Sequence, residues 1–228
     1  MKNPITFEGL PRELIAMRVS RELEDGLYVN LGIGIPTLVS DWIAGRDIAL
    51  QAEIGMLKTG PLAGAEEVDQ DLINASCQPV TELPGACFFD SIETFSMIRG
   101  GHIDVAVLGA LQVSENGDYA GWINPHRGFP PGVGNIGGSM DLAVGAKKVI
   151  ITMNHVDPDG RPKIVKKCSY PITARRVVDL IVTNLAVIEV TAKGLLLKEL
   201  YPGLTPKDVQ AVTEPRLIIS SDLKEMEL

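Results

Sequence analysis

Leu14, Ile15, Val19 and Leu23 recur at helical spacing across Arg12 to Leu23, with charge on the opposite side, and Gly26 closes that predicted helix. A strand at Leu27 to Leu31 runs into the glycine-rich stretch Gly32-Ile33-Gly34-Ile35-Pro36, and Thr37 to Ala44 predicts a helix with Pro36 at its start. Ile48 to Leu50 predicts a short buried strand, followed by Glu53 and by a turn at Gly55. Gly60 to Gln70 reads as a loop, Asp90 to Ile98 as a helix, and the continuous apolar run Ile103 to Leu111 as a buried strand. In Ser114-Glu115-Asn116-Gly117 the Asn-Gly pair predicts a turn between extended segments. Trp122 to Gly138, rich in Gly and Pro, predicts an ordered loop, and Lys148 to Met153 a core strand. Asp157-Pro158-Asp159-Gly160 signals a turn and Ala174 to Ile181 a helix. Ala186 to Val190 and Leu195 to Leu200 pair as a hairpin through Lys193-Gly194, and Thr205 caps a last helix with Pro206 in its first turn. Strands and helices follow one another with no linker, repeat or low-complexity segment between them. The pattern predicts one three-layer α/β domain over residues 1–228, a mixed central sheet flanked by helices.

Composition narrows the function classes. The chain has 228 residues, 45% hydrophobic and 22% charged, enough for one substantial core and unlike a disordered or fibrous protein. Its net charge of −8 disfavours nucleic acid and anionic membrane as partners, which want a basic face. The pairs Lys147-Lys148, Lys166-Lys167 and Arg175-Arg176 could each hold a phosphate, but read better as solvated ends of elements. Cys77, Cys87 and Cys168 are odd in number and lack ligand spacing, and His102, His126 and His155 are scattered, so neither a disulfide framework nor a metal site is predicted. No apolar run approaches the ~20 residues of a membrane span. The first residues lack a secretory signal's apolar core, and the expected location is the cytoplasm.

The candidate chemistry gathers at a predicted strand end. Glu53 lies just past the strand Ile48 to Leu50, where open α/β sheets bind ligands. Upstream, the strand, glycine loop and helix around Gly32 and Gly34 offer backbone N–H groups to an anion, although the third glycine of a dinucleotide fingerprint is missing. Downstream, the Gly137-Gly138 pair permits either a tight turn or a backbone donor beside a reacting group.

Six stretches carry a family resemblance almost end to end: Asn30 to Pro36, the Glu53 segment, Leu83-Pro84-Gly85-Ala86, Phe95 to His102, Gly109-Ala110-Leu111-Gln112-Val113, and Gly137-Gly138-Ser139-Met140-Asp141-Leu142. Through them the chain resembles the B (β) subunit of family I coenzyme A transferases, the group that includes acetate/butyrate:acetoacetate and succinyl-CoA:3-oxoacid CoA-transferases. The resemblance implies the fold shared with ribose-5-phosphate isomerase-like proteins. It also implies Glu53 as a covalent nucleophile, Gly138 as an oxyanion donor, and Asn30, Gly32, Gly34, Gly55 and Gly137 around the CoA and substrate. Coenzyme A enters as acyl-CoA substrate, with no permanently bound cofactor. The family's other half is absent from these residues, which implies a separate A (α) subunit and an A2B2 assembly. An acyl-CoA hydrolase of the same fold and a non-catalytic subunit remain alternatives. The sequence departs from the family at one point. Ala52-Glu53-Ile54-Gly55 replaces the usual Ser-Glu-Asn-Gly, from which a more apolar acyl pocket is expected, while Ser114-Glu115-Asn116-Gly117 spells that tetrapeptide elsewhere.

Overall fold

A computed structural model describes residues 7–125 and 136–227. The chain opens with helix α1 (Arg12–Ser20), then strand β1 (Tyr28–Leu31), a 3-10 helix at Pro36–Trp42, and β2 (Ala49–Ala52). Next come β3 (Met56–Leu62), β4 (Val80–Phe88), α2 (Ser91–Arg99), β5 (Val105–Gly109), β6 (Gln112–Ser114) and β7 (Tyr119–Ala120). The remainder is α3 (Ser139–Gly145), β8 (Lys148–Met153), β9 (Ile164–Val165), β10 (Leu180–Thr183), β11 (Ala186–Thr191), β12 (Gly194–Leu200), α4 (Pro206–Ala211) and β13 (Ile218–Glu225).

Ten strands form one mixed sheet in the order β13-β12-β11-β10-β8-β5-β1-β2-β3-β4. Its centre, β10-β8-β5-β1-β2, is parallel throughout, whereas β3, β4, β11 and β12 join by antiparallel pairing. A second sheet of three strands, β7-β6-β9, packs beside it. Parallel strands of this kind are buried on both faces, and β5 shows how alternation achieves it. Val105 and Val107 join Ile15, Val19 and Ile35 on one side, beneath α1 and the 3-10 helix. Ala106 and Leu108 join Ile98, Leu142 and Val209 on the other, beneath α2, α3 and α4. Ile150, Ile151 and Ile181 have no exposed surface, and each such side chain contributes about 1.5–3 kcal/mol. The three-layer, mixed-sheet α/β reading therefore holds. β1 continues to β2 on one side while the next parallel strand, β5, lies on the other. The winding thus reverses between β1 and β5, and a crevice opens at their carboxyl ends.

Two sequence expectations are corrected. Ala174 to Ile181 is not helical: Arg176 has a left-handed φ of 54°, the Val177 and Val178 amides both donate to the Gly117 carbonyl, and the chain enters β10 at Leu180. The β-branched residues Val177, Val178, Ile181, Val182 and Thr183 suit an extended backbone better than a helix. Gly60 to Gln70 is not wholly loop, because β3 runs on to Leu62 and pairs with β4. That hairpin is irregular, with register shifts between Leu57 and Thr59 and between Thr59 and Leu62, and a left-handed Lys58. Its partner strand carries Pro84 and Gly85, tolerable because β4 is an edge. The predicted helix Thr37 to Ala44 is a 3-10 helix, with Pro36 in its first turn as anticipated. Of the loop Trp122 to Gly138, residues 126–135 lie outside the described residues. Elsewhere the elements fall close to their predicted places. Asp90 caps α2 by accepting from the Glu93 amide, and Thr205 and Asp208 form a reciprocal capping box at α4. No described helix is long and apolar enough to cross a membrane.

Two buried polar contacts tie distant parts of the chain. Arg18 on α1 donates from Nε and Nη2 to both carboxylate oxygens of Glu199 on β12, at 2.7 and 2.8 Å, and also to Glu22 at 2.9 Å. Burial works against the Arg18 charge, but the hydrogen bonds and charges of Glu199 and Glu22 outweigh it. His155, fully buried after β8, bridges Thr183 Oγ1 at 2.9 Å and Thr213 Oγ1 at 2.8 Å. Since the Thr213 hydroxyl donates to the Val209 carbonyl at 2.7 Å, the ring donates from Nε2 to Thr213. Burial, aided by the Lys163 charge, pushes the imidazole down to about 3.

Glu199→Leu should destabilise the fold by about 3 kcal/mol in urea unfolding, since it strands a buried guanidinium that keeps only Glu22. Adding Arg18→Leu should recover most of that loss. For His155 the folded value lies below the ordinary 6.5, so unfolding takes up a proton at acid pH. Its contribution to stability is complete above pH 6.5 and is lost as pH falls towards 3. The stability should fall by up to about 1.4 kcal/mol per pH unit across that window, a slope that His155→Gln should reduce.

Candidate active site

The register of the sheet sets the first contact. Parallel pairing places Asn30 of β1 opposite Gln51 of β2, two residues before Glu53. The Asn30 Nδ2 group, with two N–H hydrogens, donates to the Gln51 side-chain oxygen at 2.6 Å and to the Gln51 carbonyl at 2.9 Å, and shares a hydrogen with Glu53 Oε2 at 3.3 Å. Asn30 and Gln51 are buried while Glu53 is half-buried, so a rigid amide pair holds one oxygen of an accessible carboxylate. Among the described residues the Asn30 Oδ1 and Gln51 Nε2 atoms have no hydrogen-bond partner.

Glu53 opens on a cleft of about 1370 Å³ at the carboxyl ends of the parallel strands. Gly32 and Gly34 after β1, Gly109 to Gln112 after β5, Asn154 and Lys163 after β8, and Gly137 and Gly138 before α3 all line it. The Gly32 amide donates to the Val107 carbonyl at 2.8 Å, which seats the first glycine loop on the end of β5. Tyr119 crosses the floor with its hydroxyl donating to the Gly109 carbonyl at 3.1 Å, and burial pushes that phenol up to about 12.

Gly137 and Gly138 differ in what they require. Gly137 has φ of +46°, a left-handed turn, whereas Gly138 has an ordinary φ of −87°. At Gly138 the need is space: an added Cβ would lie 3.3 Å from Glu53 Cγ and 3.4 Å from Phe95 Cζ. No described residue accepts a hydrogen bond from the Gly138 N–H, which stands at the start of α3.

The structure thus gathers Glu53, Gly138, Gly137, Gly32 and Gly34 on one cleft, with Asn30 directly behind Glu53. Gly55 lies outside the cleft, in the turn from β2 to β3. Ile54 does not line the cleft of this chain and is 51% exposed. Glu115 sits in the tight turn between β6 and β7, outside the cleft, as its Asn-Gly neighbours foretold. Sequence reasoning did not single out Gln51, Phe95, Tyr119 or Lys163. Only Gln51 left a signal, as a polar residue at a strand position two before the carboxylate.

Known proteins share both the sequence and the fold. The sequence model of the family described as Coenzyme A transferase matches residues 12–211. The chain is 45% identical to the B subunit of the 3-oxoadipate CoA-transferase of Acinetobacter baylyi, over 94% of this chain and 98% of that one. It is 47% identical to the B subunit of the succinyl-CoA:3-ketoacid coenzyme A transferase of Helicobacter pylori, over 89% of this chain and 96% of that one. In fold it resembles the acyl-CoA transferase apoenzyme of Escherichia coli O157:H7, with a TM-score of 0.72 at 22% identity; the match covers 98% of this chain but spans only 44% of that longer one.

The two glycines beside Glu53 should respond differently to a methyl group. Gly55 has φ of +118° and its Cβ would collide with the Phe89 carbonyl oxygen, so Gly55→Ala should cost more than about 2 kcal/mol in urea unfolding. Gly138→Ala should cost less than about 1 kcal/mol, because its backbone is unstrained and its contacts can yield by a few tenths of an ångström.

Proposed function

The chain belongs to the coenzyme A transferase family, and from that premise we propose that it is the B subunit of a heteromeric enzyme in which Glu53 is the nucleophile. In this reading the enzyme moves CoA between short-chain acyl or 3-oxoacyl carboxylic acids. The observation that carries it is the placement of Glu53: a half-buried carboxylate, held by Asn30, at a strand's carboxyl end on a cleft it shares with the Gly138 backbone. The names of the bacterial relatives, a 3-oxoadipate and a succinyl-CoA:3-ketoacid transferase, support the 3-oxoacid type.

Transfer must conserve the energy of a thioester, which a carboxylate nucleophile can do. One Glu53 oxygen attacks the acyl-CoA carbonyl, the C–S bond breaks, and CoA leaves as thiolate with the acyl group joined to Glu53 as a mixed anhydride. The thiolate then attacks the Glu53 carbonyl of that anhydride, releasing the first acid as carboxylate and leaving a glutamyl-CoA thioester. An acceptor carboxylate repeats the two steps in reverse. Asn30 donates to one Glu53 oxygen, leaving the other to attack. The Gly138 N–H serves as a donor to the oxyanion, and its missing side chain gives the tetrahedral centre room beside Glu53. Gly32, Gly34 and Gly137 are cleft walls along which the CoA chain and acyl group lie. A closed site that excludes water protects the anhydride, and we assign the closing surface to the A subunit, in an A2B2 assembly. That both bacterial relatives are named as B subunits supports a separate A chain. No resident cofactor is needed beyond CoA itself, and the cytoplasm is the setting.

Incubating the heteromer with acyl-CoA and no acceptor acid should leave CoA thioester-linked to Glu53. Borohydride should reduce that residue to an alcohol, found by mass spectrometry in the tryptic peptide between Arg46 and Lys58. Glu53→Ala should abolish labelling and transfer, and Glu115→Ala should leave both. Label on Glu115, or full activity of Glu53→Ala, would overturn the assignment.

A further inference from the structure

Lys163 lines the cleft on the β8 side, three strands from β2, which carries Glu53, and takes no part in the chemistry above. Its backbone is fixed on both sides, the amide donating to the His155 carbonyl at 3.1 Å and the carbonyl accepting from Val113 at 2.9 Å. The side chain is mostly buried and lines the cleft. Among the described residues its ammonium closes no hydrogen bond or ion pair, and Asp157 is the anion that favours its charge. Neighbouring His155 cannot serve it, because both ring nitrogens are committed to threonines. Burial pulls the ammonium down to about 8, which Asp157 only partly opposes, so it stays largely charged at neutral pH. Nor does it neutralise Glu53. Glu53 follows β2 and His155 follows β8, three strands apart, or roughly 14 Å at the usual strand spacing.

An under-compensated cation inside a cleft that takes a polyanionic substrate has an evident use. We propose that Lys163 is a specificity residue that anchors an anionic oxygen group of the substrate, remote from the carbonyl that Glu53 attacks. Two sources carry that chemistry: the distal carboxylate of a dicarboxylic acyl chain, or a phosphate of CoA. The inference rests on the transferase reading and deepens it.

The test uses the heteromer carrying Lys163→Met, which keeps the side-chain bulk and removes the charge, and Lys163→Arg, which restores it. Three donors are compared: a dicarboxylic acyl-CoA, a monocarboxylic acyl-CoA, and the monocarboxylic acyl-pantetheine, which has neither anion. Lys163→Met should raise KM at least about tenfold wherever the anchored anion is present, leave the acyl-pantetheine unchanged, and be partly rescued in Lys163→Arg. Loss confined to the dicarboxylic donor identifies the acyl carboxylate, and loss with both CoA thioesters identifies a phosphate. Equal loss with all three donors, or with none, overturns the proposal. Should Lys163→Met fail to fold, reductive methylation of Lys163 in the wild-type heteromer decides. CoA or a dicarboxylic acid should slow it where acetate does not, and protection by none of them refutes the anchor. A wild-type heteromer that transfers no CoA removes the parent reading instead, while normal transfer with an indifferent Lys163 sinks this inference alone.

Discussion

Five parallel strands sealed from water on both faces are the constraint from which the rest follows. Such strands cannot be joined by tight hairpins, so every crossover must travel over a face and take its helix or turn with it. With β5 apolar on both sides, most polar groups are displaced to where the strands end. The carboxyl ends of β1, β2, β5 and β8 therefore carry the glycine loop, Glu53, Tyr119's neighbours and Lys163 to one cleft. The reversal of winding beside β1 holds that cleft open.

Within the cleft, the Glu53 carboxylate is positioned by pairing rather than by packing. A strand register is an all-or-none quantity, since a slip of one residue turns every side chain to the opposite face. Asn30 meets Gln51, and so Glu53, only in the register that also buries Val29 and Ile48. Core burial and the aim of the carboxylate are thus set by the same choice. The buried amide pair behind Glu53 leaves Asn30 Oδ1 and Gln51 Nε2 without a partner among the described residues.

Much of this was legible from residues alone. β5 and β8 announce themselves as unbroken apolar runs, α2 and α4 by their caps, and the β11–β12 hairpin by its glycine turn. Illegible were elements whose partners decide them. The β3–β4 hairpin is broken by bulges, Pro84 and Gly85, and shows no period to read. Ala174 to Ile181 carries apolar residues at a spacing that fits either a helix or a chain pulled straight by contacts with Gly117 and Tyr119. Glu53 was visible because a strand end is a local feature. The Asn30 contact was not, because it depends on which strand lies beside β2. Lys163, one of four cations between Arg161 and Lys167, has nothing in the sequence to set it apart from the other three.

The Arg18–Glu199 clasp, described above as a stability element, also orders events in time. Its partners stand 181 residues apart, one in the first helix and one near the end of the sheet. During synthesis at about 5–20 residues per second, α1 waits on the order of ten seconds or more before the carboxylate that neutralises its buried arginine exists. Until then α1 lacks its clasp, and Glu22 is the one carboxylate that Arg18 has at hand. Although it is made well before β12, α1 is thus locked late, and a chain cut short before β12 would present it, unfastened, to chaperones and proteases.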